Sequence, residues 1–204
     1  TPATAGKTGL LESNIAAGLN LIQDPTLVTT YANTNNQVGA AVLQSTGNQG
    51  AGRKIIILDT GYNYNHPELS SSYLSGKDFI NNDDDPMDDD AITGSMPGSP
   101  KGGHGSHVAG IITADGIDPT AKGVAPQVGI ISGKIIGKDG TGNWSYMTNA
   151  IYWAVNGPDG IFGTDDDFKA DVINISAGAG SYLGICDTTD QLTRSLAKAI
   201  QYAK

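Results

Sequence analysis

Lys54-Ile55-Ile56-Ile57-Leu58-Asp59-Thr60-Gly61 is the stretch on which the fold turns. Four branched apolar residues in a row, with no polar alternation, read as a strand buried on both faces, as strands of parallel sheets are. Two further apolar runs share that character: Val128 to Ile136, and Asp171-Val172-Ile173-Asn174-Ile175-Ser176. Segments of helical spacing lie around them. One starts near His104 and carries Val108, Ala109, Ile111 and Ile112. Another spans Ser145 to Val155, with Met147, Ile151 and Ala154 one turn apart. A third runs from Leu192 to Ala203, with Leu192, Leu196, Ala199 and Ile200 on one side. Strands alternating with helices predict an α/β domain: three layers, α/β/α, around a mostly parallel sheet. Ligands of such sheets bind beyond the C-terminal strand ends, where Asp59 and Ser176 both fall.

The remaining segments are less patterned. Short helices are expected around 10–22 and 36–45. Gly47, Gly50 and Gly52 mark a turn, and 62–103 reads as one long polar loop. Gly123-Val124-Ala125-Pro126 is a turn, and Gly137 to Gly142 a glycine-broken extended piece. Residues 1–34 match no pattern and are set apart as an N-terminal extension of unclear role; 35–204 form the domain. The chain stops where another core strand is expected, which leaves the predicted sheet incomplete.

The net charge is −9, and the twelve basic residues are scattered, only Arg53 and Lys54 being adjacent, so no nucleic-acid footprint exists. No apolar run approaches the roughly 18 residues of a membrane span. The single cysteine, Cys186, excludes an intrachain disulfide and a cysteine-based zinc cluster, and reads as a small, partly buried hydrophobe. The acid is clustered: 83–85, 88–90 and 165–167 are each Asp-Asp-Asp. Such runs are either solvated loops or places where a cation joins carboxylates.

Two residues carry the chemistry. Asp59 ends a buried strand, where an ionised carboxylate needs partners. By itself, Asp-Thr-Gly could simply cap the next turn. It also occurs in aspartic peptidases, but those need two facing aspartates in a β-rich fold. His104 opens a helix behind Gly102-Gly103, which leave the ring accessible. The helix dipole disfavours imidazolium there unless a carboxylate compensates. Asp59 can be that carboxylate, fixing one tautomer and making the ring a general base. His104 and His107 are poorly spaced for zinc, lacking the Glu of the metallopeptidase motif, and His107 is expected to face the core. No phosphate-cradling glycine loop follows a strand, which argues against a nucleotide-binding domain.

These residues resemble the subtilisin-like serine peptidases. Ile57-Leu58-Asp59-Thr60-Gly61 with His66-Pro67-Glu68-Leu69 is similar to their aspartate motif. His104-Gly105-Ser106-His107-Val108-Ala109-Gly110-Ile111-Ile112 resembles their histidine motif, with Ser106 where Thr is usual. The Gly123–Pro126 turn, Lys138-Asp139-Gly140-Thr141-Gly142 and the 171–176 strand follow in family order, from about residue 35 to 204. The resemblance implies a serine endopeptidase in which Asp59 orients His104, and His104 serves as general base and then acid. It implies that Gly140, Thr141 and Gly142 pair with a polypeptide substrate, and that Ser176, Ala177 and Gly178 form the opposite wall.

The family's Gly-Thr-Ser-Met-Ala nucleophile segment and its oxyanion-hole Asn are absent. Gly94-Ser95-Met96-Pro97 precedes His104 and opens no apolar helix, so it is not that segment. The chain alone is therefore expected to be inert, with Ser and Asn on a C-terminal fragment of the same precursor. The alternative is a catalytically inactive calcium-binding or interaction module on the same scaffold. The resemblance also implies Ca²⁺ at Asp78, Asn81, Asp83, Asp85 and the Met87 carbonyl, since short-spaced hard oxygens suit that ion. Asp159, Asp165 and Asp167 form a second candidate loop. It implies, finally, a secreted or extracytoplasmic protein.

Overall fold

The computed structural model describes residues 31–89, 103–178, 187 and 190–204 of the 204-residue chain. Helices α1 (Tyr31–Gln37) and α2 (Ala40–Ser45) lead into strand β1 (Lys54–Asp59). Strand β2 (Tyr73–Asp78), helix α3 (His104–Thr113), strand β3 (Gly129–Lys134) and helix α4 (Trp144–Asn156) follow. Strand β4 (Val172–Ile175) and helix α5 (Gln191–Tyr202) complete the described elements. The strands lie in the order β2-β3-β1-β4, all parallel.

The layers follow from alternation along β1. Ile57 packs with Ala109, Val128 and Ile130 in the cluster that receives α3. Ile56 and Leu58 point the other way, with Ile131, Ile151, Ala154 and Ala199 in the cluster that receives α4 and α5. Helices thus cover both faces of the sheet, giving three layers. Burying each of these large aliphatic side chains stabilises the fold by about 1.5–3 kcal/mol. Local signals bound the helices. The Asn143 side chain accepts the Ser145 amide at 2.9 Å to start α4, which ends at Gly157 with φ 71°. Asp190 and Thr193 form a reciprocal capping box at the start of α5.

Several expectations need correction. The 62–103 segment is not all loop, because it contains β2. Tyr-Leu-Ser-Gly-Lys-Asp lacks an apolar run and buries little, with only Asp78 fully buried and a register shift between Tyr73 and Ser75. His107 is exposed, not in the core. Helix α3 buries Gly105, Ala109 and Thr113; at about 100° per residue, position 107 faces away from that stripe. On α5, Ala199 is buried but Leu192 and Ile200 remain exposed. The expected helix at 10–22, the Gly94–Pro97 stretch and Cys186 lie outside the described residues.

Beneath the 62–72 segment, Tyr62 is fully buried, its hydroxyl 2.8 Å from the Leu69 carbonyl oxygen and 2.7 Å from the Ser72 hydroxyl. Burial pushes its phenol up to about 12, and burial likewise pushes the stacked Tyr73 up to about 12. Because the fold holds both phenols neutral, their contribution is intact below the unfolded value of about 10 and is lost as pH rises through about 12. Ultraviolet titration of the native protein should show at least two of its eight tyrosines ionising late. All eight ionising together near pH 10, in the folded protein, would exclude this packing.

Candidate active site

β1 delivers Asp59 to the C-terminal edge of the sheet, where its side chain is 1% exposed. Its Oδ1 accepts the Thr60 amide at 2.7 Å, so the carboxylate is fixed by its own turn. His104 is the first residue of α3, and Gly103 before it has φ 70°. The His104 Nδ1 lies 2.7 Å from Asp59 Oδ1. A carboxylate can only accept there, so Nδ1 carries the proton and Nε2 holds the free lone pair. The imidazole is half-exposed, its carboxylate partner buried. This asymmetry lets the ring meet a substrate while its orientation is set from behind.

Close approach of α3 to β1 depends on two glycines. A Cβ at Gly105 would sit 2.2 Å from the Gly61 carbonyl oxygen and 3.1 Å from Asp59 Cβ. Gly61 itself has φ 128°, and a Cβ there would lie 2.6 Å from the Pro86 carbonyl oxygen. The chain 86–89 is thereby pressed against the turn after Asp59.

Two functional neighbours escape the sequence reading. Asp88 is 1% exposed and accepts hydrogen bonds from the Gly103 and Ser106 amides and the Ser106 hydroxyl. Lys134 is 2% exposed at the end of β3, in register with Asp59. It donates to the Thr60 carbonyl oxygen at 2.6 Å and pairs with Asp89 at 3.2 Å. A buried ammonium requires such partners. The single charged residue of a buried strand was the available signal for it. Asp88 offered none, being one of several like residues in an acidic run.

His104 sits on the rim of a cleft of about 490 Å³. Gly140, Thr141 and Gly142 line one side, and Ser176, Ala177 and Gly178 line the other, so both stretches meet the imidazole in one groove. Ile136 and Gly142 form an antiparallel bridge, and Gly137 donates to the Thr141 carbonyl oxygen at 2.8 Å. Residues 140–142 are exposed. Trp144 and Met147 of α4 add an apolar wall.

The carboxylates of the acidic loops are largely engaged by nearby backbone amides. Asp78 is buried and accepts from the Ile80 and Asn81 amides and the Asn81 side chain. Asp83 accepts the Asp85 amide, while Asp85 accepts the Met87 amide and the Tyr64 hydroxyl. In the second loop, Asp159 accepts the Ile161 amide and Asp167 the Gly163 amide; Asp165 is exposed. Among the described residues no three acidic, cysteine or histidine side chains converge as a preformed metal shell.

A buried carboxylate thus holds an accessible imidazole at the mouth of a parallel α/β sheet, beside an open cleft. The chain belongs to the subtilase family, whose profile matches residues 50–204. A thermophilic serine proteinase of Bacillus sp. (strain AK1) is 33% identical over 75% of this chain and 30% of its own length. The minor extracellular protease Vpr of Bacillus subtilis is 36% identical over 69% of this chain and 16% of its own length. The major intracellular serine protease of that organism is 33% identical over 71% and 40%, respectively. Among solved structures, a cold adapted subtilisin-like serine proteinase superposes with a TM-score of 0.53 at 29% identity, covering 75% of this chain and 44% of that one. The chain spans less than half the length of each of these relatives.

Proposed function

We propose that this chain supplies the carboxylate and imidazole of a serine endopeptidase that hydrolyses peptide bonds through an Asp-His-Ser triad. The observation that carries the reading is the 2.7 Å Asp59–His104 contact on the rim of the groove. His104 Nε2 takes the proton of the attacking hydroxyl and returns it to the leaving amine, while Asp59 stabilises the imidazolium formed between these steps. An extended polypeptide pairs with the exposed 140–142 backbone as an added strand, opposite 176–178. The nucleophilic Ser and an oxyanion-binding Asn are assigned to a C-terminal part of the same precursor, in the same or a second polypeptide. In support, the relatives are much longer, and no Gly-Thr-Ser-Met-Ala segment follows His104 in this sequence. The 204 residues alone are then inert, since no acyl-enzyme forms. Action outside the cytoplasm belongs to the same proposal, with the extracellular relative in support.

The test is fluorophosphonate labelling of the intact protein, with mass analysis of every polypeptide. The proposal expects label on a Ser outside residues 1–204. An unlabelled protein points instead to an inactive calcium-binding or interaction module.

Ca²⁺ is proposed for the 78–87 loop. The donors there are hard oxygens of the right kind: the buried Asp78 carboxylate, the exposed Asp83 and Asp85 carboxylates, the Asn81 side-chain amide oxygen and the Met87 carbonyl would hold the ion. The 159–167 loop is the secondary candidate. At 100 times its Kd such an ion stabilises the fold by about 2.7 kcal/mol. Chelator should therefore lower the melting temperature and resistance to proteolysis. Unchanged values reject the calcium proposal.

A further inference from the structure

Asp88 has no substrate-facing role, yet its hydrogen bonds fall on the residues that flank the acid–imidazole pair. Its Oδ1 accepts the Gly103 amide at 2.9 Å, one residue before His104. Its Oδ2 accepts the Ser106 amide at 3.1 Å and the Ser106 hydroxyl at 2.8 Å, two residues after it. The Thr60 hydroxyl, on the residue after Asp59, lies 3.3 Å from both carboxylate oxygens. That hydroxyl accepts the Gly105 amide at 2.9 Å. The first turn of a helix leaves amides without partners, and Gly103 at the N-cap of α3 has no side chain to offer. A carboxylate from a distant segment fills that place and complements the helix dipole.

The anchor is itself held. The Pro86 carbonyl oxygen accepts the Tyr62 amide at 2.8 Å, and Asp89 pairs with buried Lys134, which in turn holds the Thr60 carbonyl oxygen. From this geometry we propose that Asp88 is a positioning residue for the reaction. It ties the backbone after Asp59 to the first turn carrying His104, so that the ring is aimed before substrate arrives. The inference rests on the peptidase reading for its kinetic consequence, but not for its structural one.

The test uses the intact protein, with active sites titrated by fluorophosphonate. In Asp88→Ala, kcat per titrated site should fall about 10- to 100-fold with KM changed little, as a displacement of about 1 Å at the reacting groups would do. The low-field proton resonance of the His104 Nδ1–H bonded to Asp59 should broaden or disappear. Asp88→Asn, which keeps the shape and one acceptor oxygen, should lie between Ala and wild type in both readouts. Asp190→Ala serves as the comparison: it removes a helix cap remote from the site, and should lower the melting temperature while leaving kcat and the resonance alone. If Asp88→Ala behaves like Asp190→Ala, the proposal is overturned. Should Asp88→Ala fail to fold, Ser106→Ala carries the test: it deletes one of the donors, and unchanged kcat and resonance there overturn the proposal. If the wild-type protein takes no label, the peptidase reading fails. The resonance arm still decides the role of Asp88, because that proton belongs to the Asp59–His104 pair and needs no nucleophile.

Discussion

Asp59→Asn in the intact protein should lower kcat about 10⁴-fold with KM nearly unchanged. The side chain is buried and nearly isosteric with its replacement, so the fold is retained. What changes is the partner offered to His104 Nδ1. Asp59 Oδ1 now lies 2.7 Å away and can only accept, which places the proton on Nδ1 and the lone pair on Nε2. Asn can turn its NH₂ toward the ring, favouring the tautomer with its proton on Nε2, where the base must be free. The imidazolium formed during attack also loses its counter-charge. Steady-state kinetics with titrated active sites measure the effect. A loss below about tenfold would mean that Asp59 is a structural cap for its own turn and that the pair is incidental.

The second large effect is expected from Gly105→Ala. The added Cβ would lie 2.2 Å from the Gly61 carbonyl oxygen. No flexible side chain is there to yield, so α3 must retreat from β1. We expect a destabilisation of about 3 kcal/mol, typical of a methyl forced into a filled space. We also expect a kcat loss of about 10², because the helix start that moves carries His104. Gly103→Ala is the instructive contrast. Gly103 has φ 70° but open space around its would-be Cβ, so only the left-handed backbone penalty of about 1–2 kcal/mol applies. Denaturation curves of the two variants should separate clearly. Equal destabilisation would show that backbone conformation, and not the helix–strand contact, is what glycine supplies here.

The fold was legible in the sequence wherever burial was two-sided. β1 and β3 announce themselves as apolar runs because they are the two central strands and are buried along most of their length. β4, at one edge, keeps an apolar run with less burial, whereas β2, at the other edge and exposed at Leu74 and Ser75, has none. Asp59 and His104 were legible because each is embedded in a local pattern: a strand terminus in one case, a glycine-flanked helix start in the other. His107 was expected to face the core, but the buried stripe of its helix runs through 105, 109 and 113 and leaves position 107 outward. Asp88 could not be singled out. Its role comes from contacts with residues 15 and 18 positions away, and nothing in an aspartate triplet distinguishes the member that turns inward. Lys134 was hidden for the opposite reason. Its strand was read for its apolar residues, and the partners that make a buried ammonium tolerable arrive from Thr60 and Asp89.

The connectivity of the sheet has a kinetic consequence. The carboxylate and imidazole are 45 residues apart, Lys134 reaches back 74 residues to Thr60, and Arg53 meets Asp171 across 118. Parallel pairings of such separation close late and slowly, since chain entropy must be surrendered before the contacts repay it. A newly made polypeptide therefore stays extended for longer before Asp59 and His104 are brought together.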